Sequence, residues 1–253
     1  MNRNTRRLRR MGGSAWDVKP PAGTPLDFNS RFAQNIRLSL LFNTGQGATV
    51  YDNSPYQNNG TIANASWLQV NGEWMLDFDG TGDKVTIADA DSLTFEDNSP
   101  MTIMFCFAKD ADTGVIARKY SVANNLEYNL GVDGSDKFVC WVYDDDNNAY
   151  RGRYTPALTD AVYYHVVVVY DGGTVAGSVK IYVDGVQVDD TDLTGNAFTK
   201  MRNLTSPLIL GENNGGINGE FDGRISYFHM WASEFSLGDV QELYATPYIM
   251  YKR

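Results

Sequence analysis

The chain has 253 residues, 43% of them hydrophobic and 13% aromatic, with 24 glycines and a net charge of −10. That apolar share excludes a disordered polymer, and the acidity excludes broad binding to a phosphate backbone, which needs clustered Lys and Arg. No apolar run reaches the ~20 residues that span a bilayer, so no membrane partner is expected.

The charge is unevenly placed. Arg3, Arg6, Arg7, Arg9 and Arg10 fall within the first ten residues, which contain no acid. Residues 1–35 are expected to form a basic, Pro/Gly-rich arm, extended through Pro20, Pro21 and Pro25 and without a core of its own. Any contact with nucleic acid would have to be made by this arm. No apolar segment of signal-peptide length follows the arginines, so the chain is expected to fold in the cytoplasm. Residues 36–253 read as one β domain.

Strands are expected at Ile36–Phe42, Ser66–Val70, Trp74–Phe78, Lys84–Ile87 and Met101–Ala108, the last apolar on both faces. Val115–Arg118, Leu126–Val132, Phe138–Tyr143 and Ala149–Tyr154 read as a meander with Asn, Asp and Gly turns. Val162–Tyr170 is β-branched or aromatic at every position except His165. A strand apolar on both faces belongs in the middle of a layered structure. Ser178–Val183 then alternates, and Asp184-Gly185 supplies a type I′ turn that folds Val186–Val188 back antiparallel. Pro207–Gly211 and Gly223–Trp231 complete the set. Ser236 with Asp239 three residues on opens a short helix through Tyr244. Cys106 and Cys140 lie in strand-like runs and are expected as buried free thiols.

The order HVVVVYDG (His165–Gly172) then GSVKIYVDG (Gly177–Gly185) resembles the laminin-G-like, concanavalin-A-like lectin/glucanase domains. Tyr51–Ser54 with Asn59–Thr61, Leu76–Val85 and Phe221–Leu243 agree with that family in the same order. Together they cover Ile36 to Pro247. The strand pattern predicts two antiparallel sheets packed face to face with a short C-terminal helix. The resemblance implies an all-β jelly roll of that architecture.

The family's β-glucanases carry three acids along one strand. Here Glu220 and Asp222 begin such a pattern, but Arg224 stands at the next same-face position, so no enzyme activity is expected. Relatives also hold a structural calcium near the sheet rim. Asp79 and Asp83 are the candidate ligands, with Gly80 and Gly82 freeing carbonyls between them. The run Ile225-Ser226-Tyr227 departs from the acid-bearing terminal strand of the family, so no cofactor is required. The Asp144–Asn148 run starts like an EF-hand loop but lacks its turn glycine and its bidentate Glu. For a glycan, Tyr143, Asp146, Asn148 and Tyr150 in one loop region, and Asn213, Asn214 and Asn218 in another, offer aromatic faces and polar groups for hydroxyls.

Lys19 to Ile62 resembles the leader and first strand of laminin-G-like proteins among tailed-phage structural genes. The expected role is therefore a non-enzymatic virion decoration or adsorption protein. The arm would dock on other virion proteins, in a homo-oligomer or larger assembly, with the lectin-like domain presented outward. A carbohydrate-binding module of an exported protein is the alternative, and a β-glucan hydrolase the third reading.

Overall fold

The computed structural model describes residues 18–111, 114–121, 125–212 and 219–252. Strands appear in the order β1 (Ile36–Leu40), β2 (Thr49–Val50), β3 (Gly60–Ala63), β4 (Ser66–Val70), β5 (Glu73–Asp79) and β6 (Lys84–Ile87). They continue with β7 (Met101–Lys109), β8 (Gly114–Ser121), β9 (Asn125–Val132), β10 (Lys137–Asp144), β11 (Ala149–Ala157) and β12 (Tyr164–Tyr170). The last are β13 (Val179–Val183), β14 (Val186–Gln187), β15 (Thr191–Gly195), β16 (Leu208–Leu210) and β17 (Asp222–Trp231), before helix α1 (Leu237–Ala245).

These strands form two sheets. The eight-stranded sheet runs β14-β13-β12-β7-β17-β5-β4, with β1 also paired to β17. The nine-stranded sheet runs β15-β11-β10-β9-β8-β16-β6-β3-β2. All ladders between named strands are antiparallel, so the expected two-sheet sandwich with a short C-terminal helix is the observed fold. No described helix is long and apolar enough to cross a membrane.

Period-two alternation explains the core. Val166, Val168 and Tyr170 of β12 join Phe105, Phe107 and Phe228 between the sheets, against Phe138, Cys140 and Val142 from β10. The intervening Val167 and Val169 enter a second apolar layer on the other side of the eight-stranded sheet. That strand is therefore covered on both faces, as its composition requires. Asp184 at φ 51° and Gly185 at φ 79° make the predicted tight turn into β14. Ser236 and Asp239 form a reciprocal capping box at the start of α1. Cys106 and Cys140 are free and buried.

The second layer is built from the chain ends. Leu26, Phe32 and Ala33 pack with Val240, Leu243, Tyr248, Met250 and Tyr251 over Met104, Val167, Val169 and Trp231. Leu26 bridges antiparallel to Tyr251, Asp27 N donates to Met250 O at 2.8 Å, and Lys252 N donates to Pro25 O at 3.0 Å. The expected boundary at residue 35 therefore differs from the structure. Residues 18–35 are a layer of the domain, because the outer face of the eight-stranded sheet is apolar and must be covered. Lys19 is buried within this layer, its ammonium donating to Trp74 O at 2.6 Å and to Ser226 O at 2.7 Å. Burial lowers its pKa to about 8. The short strands β2, β3 and β15, unmarked by periodicity, complete the edges of the nine-stranded sheet.

Candidate functional site

The outer face of the nine-stranded sheet carries the site. Along β10 the side chains of Phe138, Cys140 and Val142 point into the core, so Val139, Trp141 and Tyr143 point away from it. On β11, Tyr150 pairs with Tyr143 and Gly152 with Trp141, so both follow the same outward parity. The Tyr143 and Tyr150 rings stack at 6.5 Å and 12°, with Trp141 5.9 Å from the first and 6.1 Å from the second. All three rings are half-buried. Gly195 on β15 lies beneath Tyr150, where an added Cβ would stand 2.5 Å from the ring, so only glycine permits this placement.

The β10–β11 turn is rigidly held. The inward carboxylate of Asp144 accepts from Thr199 N at 2.8 Å, Thr199 Oγ1 at 2.6 Å and Asn147 Nδ2 at 2.7 Å. Burial alone would raise its pKa, but these donors outweigh burial and hold it at about 2. Tyr143 donates its hydroxyl to Asn148 Oδ1, and Asn148 adopts φ 48° in the turn. Asp146 is ion-paired with Arg202. The structure thus brings Tyr143, Asn148 and Tyr150 together and engages Asp146 in a neighbouring contact.

Next to the aromatic cluster stand two polar residues that the local pattern did not single out. The register places Trp141 opposite Asn129, Asn129 opposite Arg118, and Arg118 opposite Ile209. These four residues form one cross-strand row on the outer face. Asn129 is 2% exposed, and its Nδ2 has no hydrogen-bond partner among the described residues. Arg118 is 6% exposed, with its guanidinium carbon 3.9 Å from the centre of the Tyr120 ring. Burial lowers its pKa to about 10, and Tyr120 opposes that shift. Arg118 and Asn129, placed outward by strand alternation, were the available sequence signal. Their adjacency was not, because ten residues and a strand reversal separate them.

The other predicted positions lie elsewhere. Asn213, Asn214 and Asn218, like Arg3, Arg6, Arg7, Arg9 and Arg10, are outside the described residues. Asp83 Oδ2 accepts from Asp79 N at 2.8 Å, and Asp79 Oδ1 accepts from Thr81 N at 2.9 Å. Burial raises the Asp83 pKa, and the charges of Asp79, Asp77 and Glu220 add to it. Glu220 accepts from Gly82 N. Among the described residues no group of three or more His, Cys, Asp or Glu side chains is placed to hold a metal ion. Arg224 is ion-paired with Asp110 and lies 3.1 Å from Asp77. Burial lowers the pKa of His165 to about 4 and of His229 to about 3, which leaves both neutral at pH 7.

A family model described as the concanavalin A-like lectin/glucanases superfamily matches residues 79–241. Among solved structures, the binding domain of Paraclostridial Mosquitocidal Protein 1 superposes with a TM-score of 0.65 at 13% identity, over 85% of this chain and 52% of that one. The receptor binding domain of botulinum neurotoxin D gives 0.64 at 14% identity, over 84% and 52%. A Trypanosoma rangeli sialidase, solved with the inhibitor DANA, gives 0.60 at 14% identity, over 82% and 32%. The chain thus spans about half the length of the toxin domains. At these identities the likeness is one of fold. No curated protein matches the chain in sequence.

Proposed function

We propose, from the premise that this chain belongs to the concanavalin A-like lectin/glucanases superfamily, that it binds carbohydrate on the outer face of its nine-stranded sheet. The observation that carries this reading is the Trp141–Tyr143–Tyr150 cluster, three partly exposed rings beside recessed polar groups. The C–H face of a pyranose carries partial positive charge and suits the negative face of an aromatic ring. A few polar groups within an apolar lining then fix orientation. The matched toxin domains are named as binding and receptor binding domains, which supports surface recognition as the role.

The reading is non-enzymatic and needs no metal. Arg224 stands where a third same-face acid would be needed, and it is engaged by Asp110 and Asp77. A glycan array probed with the protein in EDTA is expected to give hits that Trp141→Ala and Tyr150→Ala each weaken at least about tenfold, near 1.4 kcal/mol. No reducing ends are expected from any bound glycan. Undiminished binding by both variants, with their folds intact, would move the site off this face.

The finer role we propose is adsorption or decoration on a tailed-phage particle, with residues 1–17 reaching a neighbouring virion protein. Its support is the resemblance of Lys19–Ile62 to phage structural leaders, together with the five arginines, whose guanidinium forks suit carboxylate-lined grooves. Deleting Met1–Arg10, or changing all five arginines to Gln, is expected to preserve the β circular dichroism spectrum and abolish copurification with particles. Normal incorporation of both variants would assign the contact to the jelly roll instead.

A further inference from the structure

We infer that the ligand is a neutral oligosaccharide, one unit of which lies on the Trp141–Tyr143–Tyr150 cluster while a later unit enters a cleft at the free edge of the same sheet. The inference rests on the lectin reading above and adds to it a second subsite and a ligand class.

The cleft has a volume of about 410 Å³, within the range of small-molecule sites, and opens to solvent. One wall is Asp192, Thr194, Gly195 and Asn196, from β15 and the residue after it. The other is Thr174 and Val175, in the loop that joins β12 to β13. Among the described residues β15 is the outermost strand of the nine-stranded sheet. Its Gly195 serves both subsites, since its outward side carries the Tyr150 ring and its backbone lines the cleft. Rings and cleft are therefore one backbone apart, and a sugar chain laid on the rings can pass over the open edge. Asn196 fixes that corner, at φ 45° with Nδ2 donating to Asn148 O at 2.8 Å. Asn148 in turn accepts from the Tyr143 hydroxyl.

One side chain holds both walls. Arg151, next to Tyr150 on β11, donates from Nε to Thr174 O at 2.8 Å, from Nη1 to Gly195 O at 2.9 Å and from Nη2 to Asn196 O at 3.0 Å. A further bond from Nη1 reaches Tyr150 O at 2.6 Å, so four of the five guanidinium N–H groups are engaged. Walls fixed before binding lower the ordering cost of a ligand. No fork is left for the paired oxygens of a carboxylate or sulfate, so the cleft does not suit an anion. What remains suits hydroxyls, which both donate and accept. Thr174 and Thr194 are exposed, and neither hydroxyl has a hydrogen-bond partner among the described residues. Asp192 meets Arg153 through one carboxylate oxygen at 3.0 Å, which leaves the other to accept from a sugar. Val175 is exposed and offers methyl groups to the C–H face of a pyranose.

The probes are cello-, malto- and chito-oligosaccharides, each as monosaccharide and hexamer, with an oligogalacturonate and a heparin oligosaccharide as charged controls. Binding of wild type, Thr194→Trp, Asp192→Asn, the pair Thr174→Val with Thr194→Val, and Trp141→Ala is measured by titration calorimetry. Melting curves confirm that each variant is folded. Wild type is expected to bind the hexamer of at least one neutral series about tenfold or more tighter than its monosaccharide, because the second contact is intramolecular once the first is made. Thr194→Trp fills the cleft from an exposed position. It should bring the hexamer to within about threefold of the monosaccharide and leave the monosaccharide affinity unchanged. Asp192→Asn and the valine pair should each weaken the hexamer severalfold. Trp141→Ala should weaken both lengths. A hexamer no tighter than its monosaccharide in every series, hexamer affinity unchanged by Thr194→Trp, or binding confined to the charged glycans would overturn this inference and leave the lectin reading standing. Binding untouched by Trp141→Ala, or no glycan bound at all, would overturn both.

Discussion

A chain beginning at Ile36 is expected to be unfolded or aggregated at 25 °C, whereas one beginning at Val18 is expected to melt close to the full-length protein. Residues 18–35 place Leu26, Phe32 and Ala33, each no more than 2% exposed, over the eight-stranded sheet. Burying a Leu or Phe side chain contributes about 1.5–3 kcal/mol, so losing this layer removes about 5 kcal/mol. A typical domain has only about 5–15 kcal/mol of net stability. The loss also leaves buried polar groups without partners. Trp231 Nε1 donates to Phe32 O at 2.7 Å, and removing that acceptor strands a fully buried indole N–H. Lys19 is removed from Ser226, whose Oγ and carbonyl it contacts at 2.8 and 2.7 Å. Thermal melts and soluble yield of the two truncations decide the matter. Midpoints within a few degrees of each other would mean that this layer is dispensable and that the domain begins at β1.

The second large effect is expected from Lys119→Met, a loss of about 3–5 kcal/mol. Lys119 and Glu127 are both fully buried and lie 2.5 Å apart, with Asp89 Oδ1 at 2.7 Å and Leu204 O at 2.9 Å from the same ammonium. The pair exists because of a bulge. Lys119 pairs with Tyr128 and Tyr120 with Leu126, so Glu127 is skipped in the ladder and turns to the core side beside Lys119. Burial raises the Glu127 pKa, and Lys119 is the main influence opposing it. Methionine keeps the length of the lysine stem but removes that opposition, so the carboxyl must be protonated to stay buried.

The sign of the pH dependence follows. An unfolded Glu titrates near about 4.3, while in the folded variant the same group holds its proton to a higher pH. The folded state then binds more protons than the unfolded state above that point. Stability is fully present below about pH 4.3 and is lost progressively as pH rises toward the raised folded value. Urea denaturation should therefore show a larger penalty for Lys119→Met at pH 8 than at pH 5. Replacing both partners, as in Lys119→Met with Glu127→Leu, should recover most of the loss, since no uncompensated charge remains. A single-variant penalty below about 1 kcal/mol, or one independent of pH, would show that water reaches the carboxylate.

Much of this protein is determined by local sequence. The expected run Val162–Tyr170 folds as a doubly covered strand over Tyr164–Tyr170, where every residue except His165 is β-branched or aromatic. Asp184-Gly185 had to turn because both residues adopt positive φ at low cost. The stacked Tyr143 and Tyr150 were legible as well, since a four-residue turn folds β11 back on β10 and sets them opposite each other. The capping box at Ser236 lies within four residues. Each of these features depends on groups close in the chain, where spacing alone decides geometry.

Only the tertiary structure decided the rest. Proline and glycine in residues 18–35 made an open tether the natural expectation, and nothing within that stretch reveals that the far side of the eight-stranded sheet needs a cover. Glu127 reads as a solvent-facing strand residue until the bulge in its ladder turns it toward Lys119. Trp141, Asn129 and Arg118 became one row because three strands found a common register. That register is set by how Ile116, Leu130 and Cys140 fit against the opposite sheet. A shift of one residue would send the whole row inward, and the penalty for that is felt in the packed core, not in any local run of the chain.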